Sequence, residues 1–274
     1  MGKKLKIGIV GCGAIGTSLA KTIYKDFKGQ AVLSGFYDID PEKSARLSKV
    51  IVRKDLLIAG SLKKLITNSD LVIESASAKS SWDIAGQALR SGRDILIMSV
   101  GGVINHYKEL SILAKKYNAK VYIPSGAISG VDALKAAGIS GIKSVTLTTI
   151  KNPVSFKGVR YVEDKKIDLS KIKKDTVLFS GSAKEAVNFF PQNINVAAIL
   201  SLAGIGQVKT KIKIIASPSV TRNVHQIAID SNGGTISCRT ENVLHPDNPK
   251  TSFLAFLSAV AMLKNILSPV RIGT

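Results

Sequence analysis

The sequence predicts an α/β protein: a doubly wound parallel sheet in the first half, followed by an α+β second half. Three observations carry that expectation. Short apolar, β-branched runs alternate with amphipathic stretches as far as residue 125 or so. Beyond that point β-rich segments parted by turn signals dominate. A glycine-rich loop stands between the first predicted strand and the first predicted helix. The chain has 274 residues, which allows one large domain or two of ordinary size, at roughly 100–200 residues each.

In order, the predicted strands of the first half are Leu5–Val10, Ala31–Tyr37, Leu71–Glu74, Asp94–Met98 and Lys120–Ile123. The stretches Ala14–Lys25, Trp82–Arg90 and His106–Tyr117 are helical in pattern; in the last, Leu110, Leu113 and Ala114 recur at helical spacing. Strand, helix, strand at this pitch implies a parallel sheet with helices on both faces. Asp40-Pro41-Glu42 reads as a helix start, with Asp40 as N-cap and Pro41 at the first helical position. In the second half the β-rich segments are Lys143–Ile150, Val159–Tyr161, Lys211–Ala216, Val224–Ile229 and Thr235–Arg239. Turns such as Asn152-Pro153 and Ser231-Asn232-Gly233-Gly234 separate them. Helices are expected at Asn193–Leu202 and Thr251–Leu267. The expected division is therefore 1–125 for the first domain and 126–250 for the second. The C-terminal helix within 251–274 is a candidate to return to the first domain and make it discontinuous.

Composition narrows the class. With 45% hydrophobic and 21% charged residues the chain is no disordered segment. Its two cysteines, Cys12 and Cys238, form neither a disulfide framework nor a metal-ligand spacing, which points to a reducing cytoplasm. The most apolar stretch, Phe253–Leu263, is too short for the roughly 20 residues that span a bilayer. The run Ile7–Val10 is too short for a signal peptide, and Lys6 breaks the myristoylation pattern. Net charge is +20, from 39 basic and 19 acidic residues. Residues 1–137 carry 21 − 11 = +10 and residues 138–274 carry 18 − 8 = +10. A nucleic-acid protein would concentrate that charge, so nucleic acid is not the expected partner. An even spread is a general field for anions.

The motif with most content is Gly11-Cys12-Gly13-Ala14-Ile15-Gly16. G-x-G-x-x-G alone is a weak signal, but here it follows a strand and opens a helix, the context of a Rossmann-type dinucleotide site. Gly11 allows the tight turn, Gly13 lets the backbone approach a pyrophosphate, and Gly16 lets helix and sheet pack closely. The helix start, with Ala14 and Ile15, offers free N–H groups to phosphate. Asp38 ends the second strand, where a carboxylate accepts hydrogen bonds from a ribose diol and repels a 2′-phosphate. NAD is thus the expected cofactor; Lys43 and Arg46 on the next helix leave NADP open. Cys12 is most simply a small apolar filler.

Further blocks carry a resemblance. They are Pro124-Ser125-Gly126-Ala127-Ile128, Phe190-Pro191-Gln192-Asn193-Ile194-Asn195-Val196-Ala197-Ala198, Asn223-Val224-His225, and the run Glu241-Asn242-Val243-Leu244-His245-Pro246-Asp247-Asn248-Pro249-Lys250-Thr251-Ser252. With the glycine loop they resemble the L-aspartate dehydrogenase family, in family order and over nearly the whole chain. The resemblance implies oxidation of L-aspartate with NAD(P)+ to iminoaspartate, which hydrolyses to oxaloacetate and ammonia. It also implies a supply of iminoaspartate to the quinolinate branch of NAD biosynthesis, and a homodimer. It makes Ala127 and Asn193 cofactor contacts and His225 the active-site histidine.

The residues themselves leave more open. Small residues at Ser125-Gly126-Ala127 let a flat nicotinamide ring lie close to the backbone at a strand end. Asn193 can hold a carboxamide or simply cap the helix that begins there, and Asn195 is a second candidate. His225 interrupts an apolar strand, and on pattern alone it reads more readily as a hydrogen-bonded structural residue; the resemblance reverses that. As a catalytic group it suits removal of a proton from the substrate ammonium. Lys250, Thr251 and Ser252 open the last helix, as an anion site for a substrate carboxylate or as plain N-caps. His245 before Pro246 reads as a capping or surface residue, and His106 as a surface one. Three scattered histidines give no metal site. Two other classes compete: a two-domain reductase of the homoserine dehydrogenase or dihydrodipicolinate reductase type, and a non-enzymatic dinucleotide sensor. The blocks around Asn193 and His225 favour the first reading.

Overall fold

A computed structural model describes residues 3–51, 57–190, 194–246 and 248–273. The chain divides into two compact units, Met1–Pro124 with Phe256–Arg271, and Ser125–Ala255 with Ile272–Thr274.

The first unit begins with strand β1 (Leu5–Val10), helix α1 (Ala14–Asp26), strand β2 (Ala31–Tyr37) and helix α2 (Pro41–Val50). The short helix α3 (Leu62–Thr67), β3 (Leu71–Glu74), α4 (Ala78–Arg90), β4 (Asp94–Ile97), α5 (Tyr107–Lys116) and β5 (Val121–Tyr122) follow. The five strands are parallel, in the order β2-β1-β3-β4-β5. Ile7, Ile9, Val72, Ile73, Ile95 and Leu96 are fully buried, as both faces of a covered parallel sheet require. Asp40 caps α2 as expected, its carboxylate accepting from the Glu42 N–H at 3.0 Å. The chain leaves β1 toward β2 and later returns to β3 on the other side of β1. The carboxyl ends of β1 and β3 therefore flank the crevice where ligands bind in open α/β sheets.

The second unit runs α6 (Val131–Ser140), β6 (Ile142–Lys151), α7 (Arg160–Asp164), β7 (Thr176–Ser182), α8 (Ala183–Phe189), α9 (Ile194–Ala203), α10 (Gly206–Lys209) and β8 (Lys211–Ala216). It continues with β9 (Asn223–Ser231), β10 (Gly234–Asn242), β11 (Leu244–His245) and β12 (Asn248–Ser252), before helix α11 (Phe253–Leu267). Its main sheet has the order β10-β9-β6-β8-β7, with β6 parallel to β8 and the other pairs antiparallel. Val145, Leu147, Ile212, Ile214, Ile227 and Ile229 bury one face of the three inner strands. The α9 segment is apolar all round, and Val196 through Leu200 are buried. No helix among the described residues is long and apolar enough to cross a membrane.

Two expectations about elements are corrected. Val159–Tyr161 is no strand: Val159 precedes α7, Glu163 donates to the Val159 carbonyl, and Val159 and Val162 bury one helical face. A three-residue segment, Val159-Arg160-Tyr161, is too short to distinguish the two periods. The last helix begins at Phe253, because Thr251 and Ser252 belong to β12, where Ser252 pairs with Leu244. The elements α3, α6, β7 and α8 carried no clear periodicity in the sequence.

Leu147, on the central strand β6, is 1% exposed, whereas Ile139 is 91% exposed. Leu147→Ala is expected to cost about 2–5 kcal/mol, and Ile139→Ala less than about 0.5 kcal/mol. Urea unfolding followed by circular dichroism measures both.

Candidate active site

In the first unit the loop after β1 is built to admit something from outside. Gly11 has φ +93°, and a Cβ there would lie 2.5 Å from the Ser75 carbonyl oxygen at the end of β3. Gly13, the exposed N-cap of α1, has no side-chain cap, and a Cβ on it would meet nothing within 4 Å. Gly16 is the packing glycine: its Cβ would come within 1.9 Å of the Gly11 carbonyl oxygen. Ala14 and Ile15, half-buried, form the first turn, which holds no acidic residue. The helix start thus presents uncapped N–H groups over an open cradle, the arrangement a pyrophosphate takes. Asp38 stands beside it. One carboxylate oxygen accepts from the Cys12 N–H at 2.7 Å and the other from the Asp40 N–H at 2.9 Å. Burial pushes the Cys12 thiol up to about 11, so it stays protonated and acts as a filler. These residues fit a dinucleotide.

A buried carboxylate that the sequence did not single out holds the same end of the sheet. Glu74 is fully buried at the end of β3. Its oxygens accept from the Ala76 N–H at 2.9 Å, the Ser81 hydroxyl at 3.0 Å and the Ser99 N–H at 2.9 Å. Burial raises its pKa, while these bonds oppose the shift. Glu74 thereby ties the ends of β3 and β4 to the start of α4. A glutamate closing an apolar run carries no signal of this role. His106 differs from the surface expectation in one respect: its ring stacks on Trp82 at 4.5 Å and 10°.

In the second unit His225 lies on β9 directly opposite Thr149 of β6. Its Nδ1 is 3.0 Å from the Thr149 hydroxyl, and the two residues are 5% and 1% exposed. No described residue hydrogen-bonds Nε2. Burial, and then the charge of Lys151, lower the His225 pKa to about 4. Lys151 ends β6, two residues beyond Thr149 and on the same face of the strand. It is 7% exposed, and burial lowers its own pKa to about 8. Sequence reading missed Lys151 and Thr149; a lysine closing an apolar strand was the available signal.

Ala127 is 7% exposed, and its carbonyl accepts from the Asn242 side-chain amide at 3.1 Å. The Asn242 amide oxygen in turn accepts from the Ser252 hydroxyl at 2.6 Å. Asn242 pairs with Asn223, two residues before His225, so one buried amide joins the Ala127 loop to the β9 start. Gly126, at φ +68°, packs where a Cβ would lie 2.9 Å from the Ile199 side chain. Asn193 lies outside the described residues, and Asn195 is exposed in the first turn of α9. Lys250 and Thr251 lie on β12, and Ser252 ends that strand directly before α11 begins at Phe253. The β11–β12 hairpin holds them extended. His245 is buried, edge-on to Phe253 at 5.4 Å, and is no surface residue.

Gly16→Ala is expected to disrupt the loop rather than merely weaken binding, since the new methyl would overlap the Gly11 carbonyl. The cost is about 1–3 kcal/mol or more, read as a lower melting temperature together with loss of NAD+ binding by calorimetry. Gly13→Ala, by contrast, leaves the melting temperature within the range of surface substitutions.

Comparison with known proteins adds the family. Residues 132–266 match the family model described as "Aspartate dehydrogenase, C-terminal" and residues 11–124 the model "Homoserine dehydrogenase, NAD binding domain". An L-aspartate dehydrogenase of Methanosarcina barkeri is 46% identical over 272 residues, covering 98% of this chain and 100% of the relative. One from Nitrosopumilus maritimus is 39% identical over 272 residues, covering 98% and 99%. The crystal structure of aspartate dehydrogenase from Thermotoga maritima superposes with a TM-score of 0.76 at 27% identity, covering 99% of this chain and all of that one. A hyperthermophilic archaeal homoserine dehydrogenase in complex with NADPH gives a TM-score of 0.60 at 15% identity, a likeness of fold alone. Full-length identity of this order, with both halves matched, means that the chain belongs to the L-aspartate dehydrogenase family and carries an NAD-binding half.

Proposed function

We propose that the protein catalyses the NAD(P)-dependent oxidative deamination of L-aspartate. The Cα–H leaves as hydride and the amine gives up a proton. The iminoaspartate so formed takes up water and releases ammonia, leaving oxaloacetate. Family membership supports the reaction, and one observation carries the residue assignment: His225 is buried, anchored through Nδ1 and unbonded at Nε2.

Bound NAD(P)+ supplies the hydride acceptor. Gly11, Gly13, Ala14, Ile15 and Gly16 would hold its pyrophosphate, Asp38 the ribose diol, and Ala127 and Asn193 the nicotinamide end. Asp38 favours NAD. The nearby cations that leave NADP open are already engaged, Lys43 with Asp40 at 3.7 Å and Arg46 with Glu42 at 3.9 Å. These exposed pairs are weak enough to be released.

His225 is the acid/base. Hydride leaves only when the amine lone pair can push, so the ammonium must first lose its proton. In the tautomer that donates Nδ1–H to Thr149, Nε2 carries the lone pair that takes this proton. The same nitrogen then steers water onto the imine carbon. Burial keeps the ring neutral at physiological pH, so the base form needs no prior deprotonation. The nucleotide half is 1–125 with the C-terminal helix, and 126–250 is the substrate and dimerisation half. The working form is a homodimer in a reducing cytoplasm, and its iminoaspartate feeds the quinolinate branch of NAD biosynthesis.

The test follows reduced nicotinamide by its ultraviolet absorbance, with NAD+ or NADP+ and each of L-aspartate, D-aspartate, L-glutamate and L-homoserine. Reduction with L-aspartate, faster with NAD+, is expected, and His225→Ala should lower kcat/KM by about 10²–10⁴. Reduction with homoserine alone would move the protein to another dehydrogenase class, and a His225→Ala enzyme at the wild-type rate would remove the histidine from the mechanism.

A further inference from the structure

The sequence offers the start of the last helix as one site for a substrate carboxylate. A different cation has the required properties. Lys151 is 7% exposed, and no hydrogen bond or ion pair from any described residue reaches its ammonium. Its backbone carbonyl is used, accepting from the Ser217 N–H at 2.9 Å, so the strand end that carries it is fixed. Lysines are almost never fully buried unless paired, and an uncompensated buried charge costs several kcal/mol. The fold keeps this one, on the face of β6 that also carries Thr149 and therefore beside His225.

We propose that Lys151 receives a carboxylate of the substrate and thereby sets the enzyme's preference for a dicarboxylic amino acid. The inference rests on the aspartate dehydrogenase reading. A dicarboxylate entering beside Lys151 and His225 supplies the counter-charge that the fold omits. The carboxylate also cancels the cation's effect on His225, which makes the histidine a stronger base once substrate is bound. Specificity and activation are then one event: an amino acid without the carboxylate in the right place leaves the ammonium unpaired and the histidine a weak base.

The experiment compares wild type, Lys151→Met and Lys151→Arg with L-aspartate, L-asparagine and L-alanine, alongside NAD+ binding by calorimetry. Lys151→Met is expected to raise KM for L-aspartate by about 10²–10³-fold, as for removing one member of a buried charged pair. NAD+ affinity should stay within about twofold, and Lys151→Arg should recover part of the loss. A fall confined to aspartate assigns the contact to the side-chain carboxylate and supports the inference; an equal fall on all three places Lys151 on the α-carboxylate and overturns its role in the dicarboxylate preference. Because Lys151→Met removes an unpaired buried charge, its melting temperature should equal or exceed that of the wild type, which separates this loss from misfolding. A Lys151→Met enzyme with unchanged KM for L-aspartate overturns the inference while leaving the activity intact. A wild type inert toward L-aspartate overturns the functional reading itself.

Discussion

The contact between Thr149 on β6 and His225 on β9 is the constraint on which the rest of the second unit depends. It fixes the ring by one nitrogen and so decides which nitrogen is free. It also depends on register. A one-residue slip of β9 against β6 would turn His225 to the other face and separate it from both Thr149 and Lys151. The apolar residues on the same face, Leu147 and Ile227 among others, oppose that slip because it would expose them. Packing of the sheet and placement of the chemistry are thus one problem with one solution.

That solution has a cost. A histidine whose folded pKa is depressed to about 4 binds its proton less readily than in the unfolded chain, at about 6.5. Its contribution to stability is present above the unfolded value and is lost as pH falls from there toward 4. Lys151 works against the fold in the same direction, since below a pKa of about 8 it is a charge held away from water. The first unit reaches its function differently. Backbone geometry does the work there, through Gly11, Gly13 and Gly16, while the buried carboxylate of Glu74 is satisfied by three donors and holds strand ends in place.

The two halves were unequally legible for the same reason. A parallel sheet covered on both faces produces runs of Ile, Val and Leu, and β1 and β2 were predicted to the residue. The glycine loop was legible because its steric demands exclude other residues. The second unit offered less. Its α7 and β7 are short, and their apolar positions fit either period. The β11–β12 hairpin follows from pairing between segments rather than from any local preference, so Thr251 and Ser252 looked like the first residues of the helix. His225 stood out because a histidine in an apolar strand breaks a pattern. Lys151 and Asn242 did not, because a polar residue closing a strand is what solvent would also select. Only the fold shows that both are buried.

The central claim is that His225 is a buried, neutral base whose ring is anchored by Thr149 and depressed by its surroundings. Titration of the three histidines by NMR of ring-labelled protein tests it directly, with the His225 signal assigned by its loss in His225→Ala. The account predicts that His225 stays neutral until the pH approaches about 4. A His225 signal that titrates near the ordinary histidine value of about 6.5 would contradict it, and would mean that the ring is solvated and the Thr149 anchor absent in solution.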